Sequence, residues 1–391
     1  MTYSHTRIGD AFKVDWGDTS KTKSSYTSDG YPAYSASGPD GYMETFDYAS
    51  PGIVLSAIGA NCGVTYFADG KWSAIKNTIC IFPKSKEHSI DFLYYFTKNI
   101  KFFPKRGSAQ PFISKKDVED IVIELPPLSV QLEISSVLRQ VDLMINSNLK
   151  KANALDSLGQ QLFDLFINPE VSGIFNSKTY KGGVPLHFND VFNKETFHSS
   201  LGDIPLGWSV KKMTDVGSFL NGLAAQNFPA ESGDAGLPVL KIAQLRDRTT
   251  HGADVCSSSV EKKYLVNDGD IIFSWSASLD IDYWTGGKAV LNQHLFKVKG
   301  TGVPDWFIFY AVKKYLPWFR MIASGKATTM GHIQRSHLDE ALLIVPDNNY
   351  LLFVDNYVKP ILEARNSLLR KVSLLSNYRE LLFLNELKKV I

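Results

Sequence analysis

Cysteine is scarce: Cys62, Cys80 and Cys256 are the only three in 391 residues. An odd, scattered set without CxxC spacing excludes a disulfide framework and a zinc knuckle, and it points to a reducing, cytoplasmic setting. Excess charge of one sign is missing too, since 42 Lys and Arg face 40 Asp and Glu. That balance excludes a uniformly basic nucleic-acid coat while leaving room for a local basic groove. No apolar run approaches the ~20 residues that span a bilayer, and residues 1–10 lack the charged-then-apolar order of a signal peptide. Neither a membrane protein nor an exported one is expected.

Catalytic motifs are wanting as well. Gly325-Lys326-Ala327 has neither the upstream glycine nor the Ser/Thr of a phosphate-binding loop. Asn168-Pro169-Glu170 is a helix stop rather than the Asn-Pro-Pro-aromatic tetrapeptide of amino-methyltransferases. HxxxH pairs are absent, and Glu261-Lys262-Lys263 has no strand-borne aspartate before it to complete a nuclease site. His294 suits a structural hydrogen bond in its strand better than a base. The chain is expected to be no enzyme, with no metal and no cofactor of its own.

What is present is a core and a repeat. With 44% hydrophobic and 21% charged residues, the chain can fold into two or three domains. The stretch Ile113 to Pro126 is echoed by Ile333 to Pro346: a polar, basic turn, then an apolar strand-like run closed by proline. After each proline, apolar residues recur at three- and four-residue steps. Val141, Ile145, Leu155 and Leu162 lie on the seam of the first expected helix, and Val354, Val358, Ile361, Leu368, Val372, Leu375 and Leu382 on that of the second. Before each helix lies a region rich in Gly, aromatic and β-branched residues. It holds expected strands at 52–57, 78–82, 270–275 and 295–298, and expected helices at 91–98 and 305–315. The fold class is α/β (α+β): two similar mixed domains and two long antiparallel helices forming a coiled-coil spacer, related by a pseudo-two-fold repeat. The expected boundaries are 1–127 for the first domain, 128–168 for its helix, 169–201 for a linker, 202–346 for the second domain and 347–391 for its helix. Helices of about 35 to 40 residues would be roughly 55 to 60 Å long, enough to separate the domains by more than one turn of duplex DNA.

Four stretches carry a family resemblance. Leu125-Pro126-Pro127-Leu128-Ser129-Val130-Gln131 and Val345-Pro346-Asp347 begin the long helices. Gly202-Asp203-Ile204-Pro205-Leu206-Gly207-Trp208 opens the second domain, in which Gly269 to Ser276, Gly286-Gly287 and Leu291 to Val298 follow in order. The pair 107–114 and 327–333 precedes the last strand of each domain. In these segments the sequence resembles the specificity subunit of type I restriction-modification systems. The first copy departs from the pattern, with only Ile75-Lys76-Asn77-Thr78 at the place of Leu291 to His294 and no Pro-Gly-Trp opening.

The resemblance implies two target recognition domains, each reading one half of a bipartite double-stranded DNA target. The helical spacer would fix the interval and dock two methyltransferase subunits. S-adenosylmethionine, ATP and Mg are expected on partner subunits only, the partners including restriction/translocase subunits in the full complex. DNA contact needs cations for phosphates and fork-shaped or amide side chains for base edges. The candidates in the first domain are Lys21, Lys23, Ser24, Lys105, Arg106, Ser108, Gln110 and Lys115. Those in the second are Gln244, Arg246, Arg248, Lys326, Thr328, Thr329 and Arg335, all read as loop residues. Phe102, Phe103, Trp306, Trp318 and Phe319 fall at helical spacing and suit a core. The alternative is a non-DNA coiled-coil scaffold with two ligand-binding globules, whose associations would lack the steep salt dependence of phosphate contacts.

Overall fold

The structure, a computed structural model, describes residues 4–98, 102–107, 110–167, 195–325 and 331–388. The chain divides into two compact units, Met1–Leu143 with Tyr378–Ile391 and Met144–Asn377. The expected linker 169–201 falls largely outside the described residues.

In the first unit the strands are β1 (Ser4–Arg7), β2 (Phe12–Trp16), β3 (Tyr31–Ser35), β4 (Gly38–Met43), β5 (Gly52–Ser56), β6 (Thr65–Ala68), β7 (Ser73–Ala74), β8 (Thr78–Pro83) and β9 (Val122–Leu125). A four-stranded sheet runs β2-β8-β5-β6 and a smaller one β4-β3-β7. β5 and most of β8 are buried, so each is a continuous apolar run rather than an alternating one. Helices α1 (Ile8–Ala11), α2 (Ile90–Thr97) and α3 (Lys115–Glu119) complete the globule. The core collects Ile8, Phe12, Ile53, Leu55, Ile81, Leu93 and Val118. β1 pairs antiparallel with β9, so the start of the chain closes onto the strand that feeds the long helix α4 (Leu128–Ile167).

The second unit repeats this plan. Its strands are β10 (Thr196–Ser199), β11 (Gly202–Pro205), β12 (Ser209–Lys212), β13 (Gly217–Asn221), β14 (Leu237–Leu240), β15 (Val255–Cys256), β16 (Leu265–Val266), β17 (Ile271–Ser274), β18 (Asp280–Tyr283), β19 (Ala289–Leu291), β20 (Leu295–Gly300) and β21 (Leu342–Val345). The main sheet runs β13-β20-β17-β18, strand for strand the order of the first. β12 pairs with β21 as β1 does with β9, and the parallel pair β14–β19 stands where β3–β7 stands. Helices α5 (Met213–Val216), α6 (Ile242–Asp247), α7 (Asp305–Ser324) and α8 (Arg335–Glu340) lead to α9 (Asn348–Lys388). The opening segment with Trp208 is an extra hairpin, β10–β11, that precedes the repeated part.

The repeat begins earlier than its sequence echo suggests. Ser4 to Gly17 corresponds to Ser209 to Gly222, and the two glycines explain why. A Cβ on Gly17 would sit 2.5 Å from the Ile75 carbonyl oxygen, and one on Gly222 would sit 2.2 Å from that of Asn292. Each glycine lets its strand end pass against the turn before the next sheet strand. Ile75 and Asn292 make the matching parallel bridges to Asp18 and Leu223.

Four elements differ from expectation. The polar turns before β9 and β21 are helices α3 and α8, because each has a built-in cap. Ser114 Oγ accepts from the Asp117 amide while Asp117 accepts from Ser114, a capping box. At the same place in α8, His337 Nδ1 accepts from the Gln334 amide 3.0 Å away. The expected helix 305–315 runs on through Pro317 to Ser324, because Leu316, Phe319 and Ala323 continue its buried face. The segment 244–248, expected as a loop, is the end of α6.

Both long helices belong to both units, and within each unit α4 and α9 run antiparallel. In the second unit the Tyr350 hydroxyl donates to the Phe166 carbonyl at 2.9 Å, while farther along Arg365 meets Asp156 at 3.1 Å. In the first, Arg379 donates to Asp142 at 2.5 Å. Asp142 and Asp156 are two heptads apart on α4, as are Arg365 and Arg379 on α9, so each kind occupies one seam position. A lysine from the globule joins each rung: Lys98, just past α2, lies 2.7 Å from Asp142, and Lys313 on α7 pairs with Asp156. Burial raises the Asp142 carboxyl, but Lys98 and Arg379 outweigh it and hold the group below its ordinary value.

Candidate nucleic-acid interface

The first unit's candidates do not form one patch of free cations. Lys21 is half-buried, its ammonium held between Asp47 and Asp18. Lys23 stands on a short 3-10 turn 2.6 Å from Asp40. Ser24 Oγ is 2.6 Å from the Thr22 hydroxyl that caps the same turn. Lys115 is 3.3 Å from Asp15. The Arg106 guanidinium pairs with buried Asp117, the residue that caps α3, so Arg106 also serves the fold. Its backbone exchanges hydrogen bonds with Phe112 at 2.8 and 2.9 Å. Lys105 and Gln110 are exposed, and Lys105 has no ion pair among the described residues. Ser108 lies outside the described residues.

In the second unit the short helix α6 presents the candidates. Arg246 is exposed and its fork is clasped by Asp247 at 2.8 and 3.1 Å, an open pairing that a base edge can replace. Gln244 is half-buried, and its Oε1 has no hydrogen-bond partner among the described residues. Arg248 turns inward: it caps α6 in the left-handed region at φ 53° and its guanidinium pairs with Asp282, which is 7% exposed. The pairing gives a buried carboxylate the cation it needs beside it. Arg335 is exposed at the start of α8 with no ion pair among the described residues. Lys326, Thr328 and Thr329 lie outside the described residues.

Sequence reasoning missed one exposed group. The Lys71 ammonium sits 4.7 Å from the Phe46 ring centre and 5.5 Å from that of Tyr31, a cation-aromatic cluster on the first unit's surface. Its members come from three separate segments, so no local pattern announces it. Of the aromatic residues assigned to the core, Phe103, Trp306 and Phe319 are buried, and Phe102 and Trp318 are half-buried. His294 is exposed, its Nδ1 3.3 Å from the Ser276 hydroxyl. Among the described residues no group of His, Cys, Asp and Glu is arranged to hold a metal, and no helix is long and apolar enough to cross a membrane.

The expected helix seam is buried at some of its positions and half-buried at others. Val141 and Ile145 are buried, whereas Leu155, Leu162, Ile361, Leu368, Leu375 and Leu382 are half-buried. The buried apolar positions on α9 include Val354, Val358 and Val372 of the expected seam, with Tyr350, Leu351, Leu362 and Leu369 beside them. Other apolar side chains of the helices face outward, among them Leu132, Leu143 and Met144 on α4 and Leu352, Leu374 and Leu381 on α9.

Comparison with known proteins agrees with this geometry. Residues 2–156 match the family described as the type I restriction modification DNA specificity domain. The specificity subunit of the type I restriction enzyme MjaIX from Methanocaldococcus jannaschii is 23% identical over 85% of this chain and 76% of its own length. A type I specificity subunit from Mycoplasma pneumoniae is 30% identical over 39% of this chain and 43% of its own. Among solved structures, the S subunit of a type I system from M. genitalium shares the fold with a TM-score of 0.55, at 12% identity over 98% of this chain and 95% of that one. With a specificity domain matched in the first unit, its sheet order repeated in the second, and a relative aligned along most of the chain, this protein is similar to type I restriction-modification specificity subunits along most of its length.

Proposed function

We propose that each unit reads one half of a bipartite double-stranded DNA target and that α4 and α9 set the interval between the halves. The observation that carries this reading is the sheet order β2-β8-β5-β6 repeated as β13-β20-β17-β18, each copy running into a helix of 40 or 41 residues. Two copies of one fold with different surface residues suit two different half-sites. Lys105 and Gln110 in the first copy, and Arg246 and Arg335 in the second, have the exposure and chemistry for phosphate and base-edge contact.

Two methyltransferase subunits dock on the outward apolar residues of the helices, for which Leu143 and Leu374, the latter 68% exposed, are the candidates. S-adenosylmethionine, and the ATP and Mg of a restriction/translocase subunit, would be bound by those partners, and this chain performs no catalysis. The setting is cytoplasmic, where the DNA is. The test is to map methylated bases across the genome with the gene intact and deleted. A split motif that disappears on deletion supports the reading, and an unchanged methylation pattern refutes it. A seven-residue deletion in α4 should change only the interval in that motif.

A further inference from the structure

Arg248 is out of place by ordinary rules. A helix that ends in a left-handed residue normally ends in glycine, or less often asparagine, because a Cβ is strained there. Here the residue is arginine, at φ 53° and ψ 37°, with its backbone N–H donating to the Gln244 carbonyl. Its side chain supplies the compensation. The guanidinium reaches Asp282 on β18, and that carboxylate is fixed from two more directions: by Arg365 on α9 at 2.6 Å and by the Tyr283 backbone N–H at 2.8 Å. Arg365 is itself 4% exposed and abuts Asp156 on α4, which also pairs with Lys313 on α7. Charges of alternating sign thus run from the end of α6 through β18 to both long helices and α7. The short helix α6, which packs only Ile242 and Leu245 against a small apolar cluster, is tethered at its last turn to β18 and, through Asp282, to α9.

We propose that Arg248 is the positioning residue of the second unit's readout: it fixes α6 on the β18 and α9 frame so that the exposed Arg246 meets a base edge of one half-site. The inference rests on the DNA-reading function proposed above. A guanidinium recognises a guanine edge only when both its donors are aligned, and alignment requires a support that does not move. Arg248 contributes that support without touching DNA.

The experiment uses the full-length chain, assembled with its methyltransferase subunits, and a duplex library of random sequence. Bound DNA is sequenced for wild type, R248A and R248K, and affinity for a selected duplex is measured across a salt series. The wild type should enrich a split motif. R248A should keep the base preference of one half and flatten that of the other, with the salt slope unchanged because no phosphate contact is lost. R248K, which retains a cation for Asp282, should recover most of the lost preference. The proposal is overturned if R248A selects both halves like wild type, or loses both halves equally. It is also overturned if the slope becomes shallower by about one, the mark of a direct phosphate contact, or if R248K is no better than R248A. A wild-type protein that enriches no motif removes the DNA-reading function, and this proposal with it.

Discussion

Removing the Arg365 guanidinium is the sharpest way to test how the second unit is held to its helices. Arg365 is buried, donates to Asp282 at 2.6 Å and to Asn366 at 3.0 Å, and lies 3.1 Å from Asp156. Arg365→Met keeps the length and packing of the side chain and leaves two carboxylates short of a cation. Removing one partner of a buried pair costs about 3–5 kcal/mol, although Arg248 and Lys313 remain to shield part of it, so the lower end is expected. In a unit of this size that is a drop in Tm of roughly 6–12 °C. The loss should depend on pH. Burial raises the Asp282 carboxyl, but Arg365 and Arg248 outweigh it and hold the group below its ordinary value of 3.8. Its contribution is therefore present above that pH and is lost as the solution is acidified below it. Without Arg365, burial acts with less opposition and the carboxyl moves up, so acid relieves the variant while it harms the wild type. Calorimetric melts at about pH 7 and about pH 3.5 should show a large gap that narrows in acid. A gap under ~2 °C at neutral pH, or one of equal size at both, would refute the reasoning.

Two further outcomes follow from packing. Gly159 lies under Tyr310, where an added Cβ would come 1.9 Å from the phenol oxygen, so Gly159→Ala should destabilise by ~1–3 kcal/mol despite the better helix propensity of alanine. Chemical denaturation measures this, and an unchanged or raised midpoint would contradict the contact. Leu143→Asp with Leu374→Asp changes exposed side chains, so the melting temperature should stay within a few degrees while methyltransferase co-purification falls. Normal co-purification would place docking elsewhere.

The main strands and both long helices are legible in the sequence because their burial is local in pattern: β5 and β8 are short apolar runs, and α4 and α9 keep a seam for ten turns or more. The inward member of Ile361 and Leu362, or of Leu368 and Leu369, was not, because these are adjacent apolar pairs and periodicity alone does not say which one faces inward. The capped helices α3 and α8 were announced only by Ser114 and Asp117 in the one and by a histidine at the matching place in the other. Among the site residues, type was a fair guide to exposure for Lys105 and Arg246. It failed for Arg248, whose partner Asp282 becomes a neighbour only when the chain folds.

The Asp–Arg rungs limit how such a chain can be recombined. Each takes its aspartate from the first repeat and its arginine from the second. A chimera joined between the repeats would pair a helix from one parent with a helix from another, and any mismatch in the two-heptad interval would strand buried charge. Crossovers that leave α4 and α9 from a single parent avoid this. An imported globule then has to match the apolar face that Trp306, Phe307 and Tyr310 present to the helices, and to bring a cation at the place of Lys98 or Lys313 and, in the second half, a carboxylate to meet Arg365. New specificity can be grafted onto this frame one globule at a time.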